Sequence, residues 1–404
     1  MLLATRNSQL KMNTQLKPGI HWVGYIDWSI RDFHSYNTKR GATYNSYLIQ
    51  DEKNVLVDTV KYLYADKLLQ NVAELVPLDK IDYVVCNHAE PDHASGVADV
   101  MNACPNATLV CNAKCLDTLK AYMDGSNWKT QVVASGEELS IGKRTLKFIF
   151  TPMVHWPESM FTYCPEEKLL FSMDAFGQHL ATSERFDDEL PLDLILEEAR
   201  TYYANIVMPY SAQVAKLLPS AAALDIDMIA PAHGVVWRKN IPAILEAYTA
   251  WATRKTKAKV MIVYDTMWQS TAIMADQIFK GACSVDGVSV EKIFVRASDL
   301  TQLADSSLDC AAMAVGSATL NTKMMPAMAA ALNYLGGLKP PVKFSFAFGS
   351  CGWGKGAMEE IAEILPKMGW ELVAPGVKSK FRPTQEQLDA CFEAGKLLAQ
   401  KAKE

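Results

Sequence analysis

At 404 residues, half of them hydrophobic and 21% charged, the chain has an ordinary globular composition and is too long for one typical core, so two domains are expected. A net charge of −5 and a sequence pI of about 5.9 argue against a nucleic-acid footprint, and no apolar run approaches a membrane span. The nine cysteines include no Cys-x-x-Cys pair, which argues against a thiolate-held iron centre. Their scatter through apolar runs fits reduced thiols in a cytoplasmic protein. The start, Met1-Leu2-Leu3-Ala4, is too short for a signal-peptide core and runs at once into Arg6.

In chain order, His21 to Trp28, Ala42 to Ile49 and Asn54 to Thr59 read as strands. The polar turn Asp51-Glu52-Lys53 makes the last two a hairpin. Tyr62 to Leu75 carries apolar residues at helical spacing and stops before Pro77. The apolar run Ile81 to Cys86 reads as a buried strand. A short helix over Val97 to Asn102, a strand Thr108 to Cys111 and a helix Ala113 to Met123 follow, then strand-like runs Thr130 to Ala134, Arg144 to Thr151 and Met160 to Ser172. Strands cluster rather than alternate strictly with helices, so mixed sheets packed face to face under helices are expected.

The chemistry begins where the strand ending at Cys86 releases Asn87-His88-Ala89-Glu90-Pro91-Asp92-His93. Four metal donors fall within six residues. An extended backbone turns 88, 90 and 92 to one side, with His93 where the chain bends. Three further donors repeat the placement just beyond short apolar runs: His155 in Pro152-Met-Val-His-Trp-Pro157, Asp174 after Leu169 to Met173, and His233 in Ile229-Ala-Pro-Ala-His-Gly234. Each alone has a plain reading as a loop or turn residue. Together, four imidazoles and three carboxylates exceed one tetrahedral zinc and suit two metals sharing a carboxylate, and mixed nitrogen and oxygen donors with open positions suit redox iron.

The pattern His-x-Glu-x-Asp-His, with His155 62 positions on, Asp174 19 further and His233 59 beyond that, resembles the metallo-β-lactamase-like domain of flavodiiron proteins. Hydrolytic members of that superfamily usually have histidine where Glu90 stands, and bind zinc. The resemblance implies that His88, Glu90 and His155 hold one iron, that Asp92, His93 and His233 hold the other, and that Asp174 bridges them. Ala94 interrupts the usual Asp-His-Ser-Gly but touches no ligand. His34 and Tyr202 fall where family members place side chains near the diiron pocket, which implies proton donation or gating. His21 and His179 read as structural or supporting.

A helix around Ala243 to Thr253 leads into the basic cluster Thr253 to Lys259, read as a solvated linker, so the domains are placed at 1–254 and 255–404. Strands Lys259 to Tyr264, Val288 to Val295, Ala311 to Val315, Val342 to Phe348 and Glu371 to Ala374 then alternate with helices, and Thr384 to Lys403 closes the chain. This predicts a doubly wound parallel sheet of flavodoxin type. Its switch point lies between the first and third strands, where a flavin mononucleotide sits. Three segments leave strand ends there. Thr266, Met267, Trp268, Gln269, Ser270 and Thr271 open a helix with hydroxyls and free N–H groups suited to phosphate. Ser317, Ala318, Thr319, Leu320 and Asn321 form the second, and Ser350, Cys351, Gly352, Trp353 and Gly354 the third. The third segment alone is weak evidence, matching neither a dinucleotide fingerprint nor a Walker loop. All three together are similar to the flavodoxin domain of flavodiiron proteins, although Gln269 stands where glycine is common and Ala318 where proline is. The Met-rich stretch Met324 to Met328 reads as helix start and core.

The whole resemblance implies an α/β enzyme, a metallo-β-lactamase-like αβ/βα sandwich followed by a flavodoxin-like domain, that carries FMN and two non-haem irons. It implies reduction of dioxygen to water, of nitric oxide to nitrous oxide, or both. With no iron–sulfur segment in the chain, electrons are expected from an external carrier, rubredoxin or less often a reduced deazaflavin, to a head-to-tail homodimer or a dimer of dimers. Two competing readings are a zinc hydrolase with a flavodoxin passenger, which Glu90 opposes, and a non-enzymatic electron carrier, which the full donor set opposes.

Overall fold

The computed structural model describes residues 13–404. The described residues divide into two compact units, 13–202 with 212–249, and 203–211 with 250–404.

In the first unit, one sheet has seven strands in the spatial order Thr14–Lys17, Ile20–Trp22, Tyr47–Ile49, Asn54–Val57, Ile81–Val85, Thr108–Cys111 and Lys129–Val132. Its last four strands run parallel and the others pair antiparallel. A second sheet orders Glu138–Ser140, Thr145–Phe150, Met160–Cys164, Leu169–Met173 and Met228–Pro231. Strand alternation assigns the faces: Val55 and Val57 join the core shared with Phe148 and Phe171 of the second sheet, while Leu56 turns to the helix side with Leu68 and Val97. Both faces of the sheet are therefore buried, and polar side chains gather at the strand ends instead.

The second unit is a parallel sheet in the order Ser289–Phe294, Lys257–Asp265, Cys310–Leu320, Phe344–Cys351, then Glu371–Leu372 with Val377–Lys380. By chain order this is 2-1-3-4-5, the flavodoxin arrangement. Helices Ser270–Cys283 and Gln385–Lys401 pack on one face through Met274, Ile278 and Leu398; Pro326–Leu338 and Ala357–Lys367 pack on the other through Met328, Leu332 and Ile361. The first pair of helices meets at glycines. A Cβ on Gly281 would strike Phe392 O, and one on Gly395 would strike Ile278 O.

Several sequence expectations are corrected. The strand expected over 21–28 breaks at Val23-Gly24, and that over 42–49 at Asn45-Ser46, because the inner halves, Tyr25–Asp27 and Ala42–Tyr44, pair with each other as a separate ribbon. Met160 to Ser172 is a hairpin turning at Pro165–Glu167. The basic linker is shorter than expected. The strand already begins at Lys257, whose Nζ lies 2.9 Å from Asp309 Oδ2, and Arg254 donates to the carbonyls of Lys339 and Pro340 at 2.9 Å. A single cut at 254 is also too simple. Residues 203–211 belong to the second unit; they comprise a π-helical turn, Tyr203–Val207, a 3-10 turn, Met208–Tyr210, and Ser211, and Tyr334 Oη donates to Asn205 Oδ1 at 2.7 Å.

Candidate diiron and flavin sites

Asp58 fixes the floor of the first site. This buried residue has φ 55° and accepts hydrogen bonds from Asn87 N at 2.7 Å and Asn87 Nδ2 at 3.0 Å, which locks the chain as it leaves Ile81–Val85. The backbone stays extended only as far as Glu90. Pro91 then occupies the first position of a helical turn, Pro91–Ala94, where a missing N–H costs nothing. Asp92 and His93 are therefore carried on that turn, which corrects the expectation of an extended run through 92.

Asp174 stands at the centre. Its Oδ2 lies 3.2 Å from His88 Nε2 and 3.3 Å from His155 Nε2, while Glu90 Oε2 lies 3.2 and 2.9 Å from the same two nitrogens. The other oxygen, Oδ1, lies 2.9 Å from His93 Nε2 and 3.5 Å from His233 Nε2, with Asp92 Oδ2 3.1 Å from His233. Each oxygen of one carboxylate thus faces its own set of two imidazoles and one carboxylate. All seven residues are buried. Despite the short separations, neither oxygen of Asp92 nor Asp174 Oδ2 receives a hydrogen bond. Lone pairs buried without a donor are expensive, and a cation between each oxygen and its imidazoles removes that cost.

The charge balance agrees. Burial disfavours an imidazolium, yet Asp174 and the neighbouring carboxylates outweigh it and lift His88 and His233 to about 10, and His93 and His155 to about 9. Burial likewise opposes ionised Glu90 and Asp174, but the surrounding histidines hold both far below the usual carboxylate range. A pocket that draws in positive charge so strongly, with hard oxygen and imidazole donors and no thiolate, fits two divalent or trivalent irons.

The supporting contacts include residues that sequence reasoning missed. Glu158 Oε1 lies 2.7 Å from His88 Nδ1, and Thr43 O lies 2.6 Å from His233 Nδ1. His34, at the tip of the hairpin Asp32–Phe33/Tyr36–Asn37, places Nε2 2.9 Å from Glu90 Oε1 with half of its side chain exposed. Tyr202 Oη donates to Asp174 Oδ1 at 2.6 Å. His179 is hydrogen-bonded through Nδ1 to Tyr36 Oη, and Phe33 packs on it at 4.6 Å. His21 instead lies in the strand Ile20–Trp22, in register with Leu48.

In the second unit a cavity of about 760 Å³ opens at the ends of the first, third and fourth strands. Met267, Trp268, Ser270, Ala318, Thr319, Leu320, Asn321, Ser350, Cys351, Gly352 and Trp353 line it, joined by Thr322, Phe381 and Arg382, which sequence reading did not single out. Of the other expected residues, Gln269 and Gly354 are exposed, and Thr266, Thr271 and Ser317 are buried. Thr271 Oγ1 is 2.9 Å from Ser350 Oγ, and Ser317 Oγ accepts Met325 N at 2.9 Å, so these hydroxyls serve the fold. Residues 317–320 and 350–351 are strand rather than loop, because they are paired: Ala318 with Ser350, Thr319 and Leu320 with Met324 and Lys323, and Ser350 and Cys351 with Ser379 and Lys380. Gln269 takes φ 67°, the conformation that favours glycine, and Gly354 has φ 77°. Thr266 Oγ1 is buried without a partner directly after the strand Lys257–Asp265, in the segment that leads into helix Ser270–Cys283. Met324, Met325 and Met328 are buried core.

Family models match both units: an ODP family beta lactamase over residues 42–234 and a flavodoxin over 262–395. The chain is 44% identical over 386 residues to a nitric oxide reductase of Moorella thermoacetica, spanning 94% of this chain and 96% of that one. A crystal structure of the flavodiiron protein from Giardia intestinalis superposes with a TM-score of 0.93 at 42% identity, over 97% of each chain. The chain belongs to the flavodiiron proteins. The rubredoxin oxygen:oxidoreductase of Desulfovibrio gigas is equally close in fold, with a TM-score of 0.94 at 37% identity over 97% of this chain and 98% of that one. This flavodiiron chain is accordingly an oxidoreductase whose cofactors are FMN and a non-haem diiron centre. Among the described residues no helix is long and apolar enough to cross a membrane.

Proposed function

We propose that this flavodiiron protein reduces dioxygen to water, nitric oxide to nitrous oxide, or both, in the cytoplasm. The observation that carries the reading is Asp174, whose two carboxylate oxygens each face a separate set of two histidines and one carboxylate, with Glu90 in the first set. His88, Glu90 and His155 would hold one iron and Asp92, His93 and His233 the other, bridged by Asp174. When bound, the iron pair and FMN supply the electrons, four for dioxygen and two for a pair of nitric oxides. His34, half exposed and beside Glu90, can carry a proton from solvent toward the pocket. Tyr202 keeps its own proton and donates it in a hydrogen bond to Asp174 Oδ1, and Phe33 shields the site from bulk water.

Thr266 to Thr271 would take the flavin phosphate, with Trp268 and Trp353 over the ring. Both tryptophans are more than four-fifths exposed, which supports a second copy covering them, as in a head-to-tail homodimer or a dimer of dimers. Lys355, Lys380 and Arg382 stand exposed near the flavin cavity and support an acidic carrier such as rubredoxin, in preference to a reduced deazaflavin. All nine cysteines are free and eight are buried, in keeping with a reducing compartment.

The test is turnover with dioxygen and nitric oxide side by side, from a reduced donor, on protein analysed for iron and flavin. Gas consumption by protein holding two irons and FMN is expected. A preparation that holds zinc, lacks iron and hydrolyses esters or lactams sinks the reading in favour of a hydrolase. Flavin that cycles without gas consumption points to an electron carrier.

A further inference from the structure

Glu158 belongs to neither ligand set, yet it is buried at 3% exposure against one of them. Its Oε1 lies 2.7 Å from His88 Nδ1 and accepts Ala89 N at 3.1 Å. An imidazole that offers Nε2 to a cation keeps its proton on Nδ1, so the first contact is an N–H donating to a carboxylate. The backbone of the same residue is tied down separately. Its carbonyl accepts Asn112 Nδ2, and Asn112 Oδ1 caps helix Ala113–Tyr122 through Cys115 N at 3.0 Å. The loop from Thr151 to Ser159, which bears His155, closes with Thr151 N donating to Ser159 O at 2.9 Å. Glu158 therefore grips His88 directly and sits on the loop that carries His155. In the other set, His233 Nδ1 meets a neutral acceptor, Thr43 O, at 2.6 Å, and the buried carboxylate of Asp58, which feels the charge of His93, takes its hydrogen bonds from Asn87.

A charge-assisted hydrogen bond is roughly twice as strong as a neutral one. It pulls the Nδ1 proton outward and makes Nε2 a better electron donor. Resting on the ligand assignment above, we infer that Glu158 is a positioning residue that makes the two metal positions unequal. The iron held by His88, Glu90 and His155 is the more tightly bound and the harder to reduce. The two sets are otherwise matched in donor type, two imidazoles and a carboxylate each, so the inequality lies behind the ligands and not among them.

Glu158→Gln is the informative variant, because its amide oxygen still accepts from His88 Nδ1 and Ala89 N while the charge is gone. Glu158→Leu removes both contacts. Holoenzyme with FMN and two irons is assayed for iron affinity by competition with a chelator, and for the two iron potentials by a redox titration followed by electron paramagnetic resonance. In Glu158→Gln, one iron is expected to weaken by about tenfold to a hundredfold. The lower of the two iron potentials should rise, narrowing the interval between the steps, while the FMN potentials stay in place as an internal control. Glu158→Leu should weaken the same iron further. Glu158→Gln with wild-type affinities and potentials, or with both irons shifted alike, overturns the inference and leaves Glu158 a structural staple. Wild-type protein that cannot hold two irons overturns instead the ligand assignment beneath it.

Discussion

Asp174 serves both halves of the metal pocket with one side chain. It follows the strand Leu169–Met173 directly, where Met173 takes φ 43°, and it is 1% exposed. Asp174→Ala removes both facing oxygens and the acceptor of Tyr202 together. The expected outcome is loss of at least one iron and of turnover, with the flavin spectrum unchanged, since the flavin cavity is built from another core. Iron analysis and gas consumption on the variant check this; two irons and full activity would refute the bridge. Glu90 is the complementary case, a carboxylate touching His88, His155 and His34. Glu90→His replaces an anionic oxygen by a neutral nitrogen. Zinc occupancy should rise and gas reduction fall by about tenfold to a hundredfold, the range seen when the support of a ligand shell is lost. Stopped-flow reduction of the flavin, run beside oxygen consumption, should show the first step intact.

At the scale of elements, both sites depend on how a strand ends. Pro91 starts a helical turn directly after Glu90, and this swings Asp92 and His93 onto a second face while Glu90 stays with His88. In the flavin unit the same transition is made at Gln269, where a residue with a side chain holds φ 67° immediately before helix Ser270–Cys283. A left-handed conformation costs a non-glycine residue about 1–2 kcal/mol, part of which glycine returns as backbone entropy. Gln269→Gly should therefore stabilise the flavin unit by about 0.5–1 kcal/mol, raising its thermal midpoint by roughly 2–4 °C. Scanning calorimetry measures it, and a lower midpoint would mean the Gln269 side chain makes a contact that outweighs its strain.

For the whole molecule, two units with separate cores should respond separately to cofactor loss. Metal binding stabilises the folded state by mass action, about 2.7 kcal/mol at a hundredfold excess over the dissociation constant. Chelation strips cations from a pocket with three carboxylates and leaves Asp92 and Asp174 oxygens without donors. The lactamase-like unit should then unfold several degrees lower while the midpoint of flavin release stays fixed. Circular dichroism and flavin fluorescence on the same sample separate the two. A common shift of both midpoints would show that the units unfold as one.

The order of the second sheet was legible because each of its strands is a short apolar run followed by an amphipathic helix, a pattern local in sequence that leaves few topologies open. The donors themselves were legible for a related reason: His88 follows a strand of the first sheet, and His155, Asp174 and His233 follow strands of the second, so each sits just past an apolar run that the sequence displays. What the tertiary structure alone decided are contacts with no local signature. Glu158 and His88 are 70 residues apart and lie 2.7 Å from one another. Asp58 reads as the polar end of a strand until Asn87 is seen on its carboxylate. The breaks at Gly24 and Asn45 follow from close approach: a Cβ on Gly24 would strike the Tyr44 carbonyl, and Asn45 Nδ2 turns away to the carbonyls of Pro231 and Gly234 at 2.8 and 3.0 Å. Periodicity records which face of an element is buried, and so it found the strands and the donors at their ends. Hydrogen bonds between distant loops are set by how the two sheets face each other, and only the folded chain fixes them.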